Sequence, residues 1–74
     1  MAQLTHPAFY VAEIHADHDF NKQVARNAWS TLQAARDWAD GWIADQLMHD
    51  KRADPTFDGY SYSYVVVEFV VQDI

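Results

Sequence analysis

Seventy-four residues, half of them hydrophobic and none of them cysteine, carry eleven acids against five bases, for a formal charge of −6. Such a chain is too apolar to remain disordered, and it excludes a disulfide framework or a thiolate zinc site. No apolar run approaches the ~20 residues of a membrane helix, and the acidity disfavours direct nucleic-acid binding, which relies on basic patches.

The length fits one domain over residues 1–74. A single core of this size rarely supplies more than ~3–5 kcal/mol. Three Trp, four Tyr and four Phe offer dense aromatic packing as compensation, and assembly is the other route. The N-terminus lacks a basic region followed by an apolar run, so no signal peptide is expected and the cytoplasm is the expected location.

Met1 to Pro7 reads as a lead-in, since Pro cannot donate to a sheet ladder and suits the position before a strand. Residues 9–15 form the first predicted strand. Its even positions Tyr10, Ala12 and Ile14 are uncharged and are assigned to the helix side. Ala16 to Asn21 is a turn rich in Asp and His.

Two readings compete for the next stretch. Phe20, Val24, Ala28 and Leu32 stand at helical spacing, which would extend a helix from about Asp19 to Asp50. At ~1.5 Å per residue that rod is nearly 50 Å long. A second strand over about 21–27 is preferred, with Lys22 and Arg26 protecting a sheet edge.

The helix is predicted over about 31–50. Ser30 followed by Gln33 has the spacing of a capping box. Leu32, Ala35, Ala39, Trp42, Ile43 and Leu47 share one arc with Trp38 at its margin, while Asp37, Asp40 and Asp45 lie outside it. Gly41 falls on the face away from the core. Asp54–Pro55 and Asp58–Gly59 mark a loop.

Residues 60–72 give the strongest predicted strand. Its odd positions Val65, Val67, Phe69 and Val71 are assigned to the helix. Its even positions, starting with Tyr60, Tyr62 and Tyr64, are assigned to an open face with Phe9, Val11, Val66 and Val70. The fold class is thus α+β, a β-β-α-β two-layer domain with a three-stranded sheet in the order 2-1-3. The crossover rule places the third strand beside the first.

Chemistry-bearing residues are few. His15, Asp17, His18 and Asp19 are the densest set of potential metal ligands, but they lack the spacing of known sites and read better as a solvated turn. No G-x-S-x-G motif, phosphate loop or zinc-protease helix is present. Neither a catalytic residue, a cofactor nor a metal is expected, and an enzyme is not expected. Partner binding is assigned to the acidic set Asp37, Asp40, Asp45, Asp54 and Asp58, and to Tyr60, Tyr62 and Tyr64. Tyrosine suits protein interfaces because it joins a large area to a polar tip.

A small, cysteine-free, acidic α/β chain without enzymatic motifs resembles the phage-encoded anti-CRISPR inhibitors in size, charge and architecture. That resemblance implies a protein that acts by occupying a surface, with acidic residues imitating a nucleic-acid backbone. The expected function is an interaction module that docks on a basic protein surface, with no direct nucleic-acid binding and no membrane. The alternative is a non-enzymatic accessory domain that forms a homodimer.

Overall fold

A computed structural model describes residues 8–71 of the chain. The elements are β1 (Ala8–Ala16), β2 (Lys22–Trp29), α1 (Leu32–Ala53) and β3 (Tyr62–Val70). The sheet order is β2-β1-β3, with β1 antiparallel to both neighbours. The β-β-α-β order and the α+β class therefore follow the sequence reading. The lead-in at Met1 to Pro7 and the strand end at Gln72 lie outside the described residues.

The competition over residues 21–27 resolves as a strand. Two turns reverse the chain before it: the Asp19 N–H donates to the Ala16 carbonyl at 3.0 Å and the Lys22 N–H to the Asp19 carbonyl at 3.2 Å. Phe20 and Asn21, the central residues of the second turn, both have φ of 56°. Two successive left-handed residues match the right-handed twist of a hairpin. β2 then pairs Ala25 with Ile14 but Gln23 with His15, so Val24 is an extra residue in a bulge. The bulge breaks the expected alternation of Lys22, Val24 and Arg26.

The helix starts one residue later than the capping box implied. β2 runs on to Trp29, Ser30 is used in the bend, and Thr31 becomes the N-cap. The Thr31 hydroxyl accepts from the Ala34 N–H at 3.1 Å. Gln33 turns outward instead and donates to Asp37 at 2.8 Å. At the other end, Lys51 and Arg52 lie in the last turn, where cations meet the negative end of the helix dipole.

Ala12 and Ile14 of β1 and Ala35 and Ala39 of α1 form the buried centre. Trp29, Trp38, Trp42 and Ile43 pack around it, partly buried. The even face of β1 thus meets the helix as predicted. The faces of β3 are reversed. Tyr62, Tyr64 and Val66 pack toward the helix, whereas Val65, Val67 and Phe69 are 41–51% exposed. Both faces of this strand are apolar, so alternation alone could not orient it. Two polar contacts favour the observed orientation: Tyr62 donates to Asp50 of α1, and Glu68 accepts from Tyr10 at 2.9 Å.

The cap assignment is open to test by thermal unfolding. Thr31→Ala is expected to cost about 1 kcal/mol through loss of the hydroxyl acceptor, while Ser30→Ala stays within about 0.5 kcal/mol of the parent chain. The opposite ranking would return the cap to Ser30.

Candidate interaction surface

Among the described residues, a single helix shields one side of the sheet and no element covers the other. On that open side Phe9 pairs with Phe69, Val11 with Val67, and Glu13 with Val65. The Phe9 and Phe69 rings stack with centroids 5.2 Å apart and an interplanar angle of 11°. Val11 is almost fully buried, at 4% exposure, whereas Phe9 remains 37% exposed. Phe9, Val65, Val67 and Phe69 form a contiguous apolar patch of the kind that marks interaction sites.

Among the described residues, the charged side chains of this face lie at one margin, where Glu13 and Arg26 pair. Arg26 Nε lies 3.4 Å from Glu13 Oε2, and His15 Nε2 lies 3.9 Å from Glu13 Oε1. The His15 Nδ1–H donates to the Asn21 carbonyl at 3.1 Å, which fixes the ring over the turn. A partner approaching the patch therefore meets apolar side chains bordered by an ion pair.

The tyrosines lie elsewhere than the sequence reading placed them. Tyr62 and Tyr64 belong to the helix side, half-buried against the core. Tyr62 meets Trp42 edge to face at 5.7 Å. Tyr60 precedes β3 and packs edge to face on Phe57 at 4.8 Å and on His18 at 5.0 Å. Aromatic packing within the chain thus accounts for much of the surface that an external partner was expected to cover.

Asp37, Asp40 and Asp45 are exposed on α1, as expected. Gly41 lies on the same outward side, where a Cβ would meet nothing within 4 Å. Asp54 follows the helix as its C-cap and accepts from Thr56 at 3.2 Å. Asp58 is exposed and, with Leu47, Lys51, Pro55, Phe57 and Tyr60, lines a shallow cavity of about 200 Å³. These five aspartates do not form one row. Asp37, Asp40 and Asp45 follow the helix, while Asp54 and Asp58 belong to the loop beyond its C-terminus.

The His and Asp residues of the hairpin are used to hold the fold together. The Asp17 N–H donates to the Ser61 carbonyl at 2.9 Å, and Ser63 Oγ donates to Asp17 at 2.8 Å. His18 Nδ1 lies 2.9 Å from the Ser61 carbonyl and 3.1 Å from the Ser61 N–H, so either tautomer finds a partner on that residue. Lys22 pairs with Asp19 at 3.2 Å. Among the described residues, no three acids or histidines converge as a metal site would require.

Phe20 entered the sequence reading only through its helical spacing and its place in the Ala16–Asn21 turn, and its exposure was not foreseen. It is 99% exposed at the tip of the hairpin, in a left-handed backbone conformation that bulky residues rarely adopt. Its place beside Asn21 between two strands was the available signal, because such turns favour Asn and Gly at both central positions. The open-face role of Val65, Val67 and Phe69 was also missed, for the reason given above.

No family model, curated protein or solved structure matches the chain.

The Tyr62 phenol is pushed up to about 12, first by burial and then by its hydrogen bond to the Asp50 carboxylate. In the unfolded chain a tyrosine ionises near 10. The folded state therefore keeps a proton that the unfolded state has lost. The resulting stabilisation is complete below about pH 10 and drains away as pH rises toward 12. In denaturant titrations, Tyr62→Phe should be less stable than the parent chain at neutral pH but should lose less stability between about pH 10 and 12. Parallel losses in the two chains would place this phenol in water.

Proposed function

We propose that this chain is a non-enzymatic protein-interaction module that docks on a partner protein through the open face of its sheet. The observation that carries this reading is the patch of Phe9, Val65, Val67 and Phe69, 37–51% exposed and uncovered by any element of the chain among the described residues. The apolar area supplies the driving force. The Glu13–Arg26 pair at its margin gives the partner a polar contact for orientation. Outward placement of Asp37, Asp40 and Asp45 on α1 keeps their charge away from the docking face.

A second reading rests on the exposed carboxylates of Asp37, Asp40 and Asp45. In this form the acidic side of α1 occupies a basic, nucleic-acid-binding surface of a bacterial defence complex, as an anti-CRISPR inhibitor of phage origin does, in the host cytoplasm. Long-range attraction would then govern the encounter, and salt would weaken it.

The two readings separate by mutation. Partners captured from bacterial extract by the parent chain are compared with those captured by Val67→Ser,Phe69→Ser and by Asp37→Lys,Asp40→Lys,Asp45→Lys. Docking through the sheet predicts loss of the captured partner with the first variant and retention with the second. Retention with the first and loss with the second, at low salt only, would overturn sheet docking in favour of the acidic helix. Circular dichroism checks that both variants remain folded.

A further inference from the structure

The two edges of the sheet are built differently. β2 forms one edge and β3 the other. β2 carries Lys22 and Arg26 and is bent by the bulge at Val24, devices that discourage pairing with another strand. β3 is a nine-residue strand with one charged side chain, Glu68, and no Pro, Lys or Arg. Its inner side is fully paired to β1 from Tyr62 to Val70, and no element of the chain lies against its outer side among the described residues. A long, apolar, unprotected edge of this kind is a template for another strand.

We propose that β3 pairs antiparallel with β3 of a second copy about a two-fold axis through Val66, joining two sheets into one of six strands. The contact uses the backbone edge of β3, whereas docking uses the side chains on its open face, so the inference does not rest on the docking reading. Three observations point to a second copy as the occupant. First, Val66 is the midpoint of Tyr62–Val70, so this axis uses all nine residues of both strands.

Second, the pairing is self-complementary. Val65 of one copy faces Val67 of the other, and Tyr64 of one faces Glu68 of the other, twice by symmetry. The only charge on the strand thus meets a phenol instead of its own copy. An axis shifted two residues, to Glu68, would set the two carboxylates opposite each other. Third, the assembly closes. Once the β3 edges are joined, both outer edges of the six-stranded sheet are β2, with its bulge and basic residues. A closed two-fold assembly leaves no open edge for a third copy. Because the axis stands perpendicular to the sheet, both helices lie on one side. Tyr62, Tyr64 and Val66, which are half-buried beneath a single helix, then gain cover from the second copy.

The absence of cysteine makes the axis directly testable. Residues opposite one another in an antiparallel pair have Cα atoms about 4.5–5.5 Å apart, within disulfide range. Val66→Cys places a thiol on the axis. Ser63→Cys places one about 20 Å from its symmetry mate, from a strand rise of ~3.3 Å per residue. Under mild oxidation the Val66→Cys variant should run at twice the 8.5 kDa of the chain, and the Ser63→Cys variant should not. The unmodified chain supplies an independent readout. Every second amide of β3 points outward and should exchange with solvent more slowly as protein concentration rises. A chain that stays monomeric with these amides exchanging freely would overturn the proposal. So would a dimer in which the Val66→Cys variant stays unlinked and the edge amides remain unprotected, which would place the contact elsewhere, without bearing on docking by the open face.

Discussion

The side chain of Ile14, closed in by Ala12, Ala35 and Ala39, sets how the two layers meet. Small residues on the helix let its backbone approach the sheet closely. Ile14 is the largest side chain that this approach buries completely. The cost is a thin core. Among the described residues, four of the six buried hydrophobic ones are alanines, and the tryptophans frame the contact from its margins. A helix seated this closely over β1 covers one side of three strands and cannot reach the other. The apolar open face follows from that geometry.

Much of this arrangement was legible in the residues. The period of Ala35, Ala39, Trp42 and Ile43 marked the helix and its inner side, and Tyr10, Ala12 and Ile14 marked the inner side of β1. The crossover rule then gave the strand order. The orientation of β3 was not legible, because valines stand at both odd and even positions and the decision fell to distant partners, Asp50 and Tyr10. Nor was the bulge at Val24, which depends on how the hairpin turn sets the register. Ser30 and Thr31 are both competent caps, and the extent of β2 chose between them. For the candidate site, the exposed helix acids were read correctly as exposed. Tyr62 and Tyr64 were not assigned to the inner side, because an aromatic that suits an interface suits an aromatic core equally well.

The distribution of charge and apolar area gives the molecule two unlike sides. Asp37, Asp40 and Asp45 face water from the helix, whereas the sheet presents aromatic and aliphatic side chains with a paired Glu13 and Arg26 at their margin. Net charge far from zero opposes non-specific association of a small chain with an apolar face. The hairpin tip adds Phe20, an aromatic exposed on a left-handed backbone, which contributes no packing to the chain itself.

The central claim is that the open sheet face, and not the acidic helix, is the working surface. Hydroxyl-radical footprinting reads both at once, because Phe9 and Phe69 report on the sheet and Met48, 54% exposed, reports on α1. Labelling is compared between the purified chain and the chain in extract of bacterial cells. The account predicts that Phe9 and Phe69 become protected in the extract while Met48 is labelled as before. Protection of Met48 with undiminished labelling of Phe9 and Phe69 would contradict it.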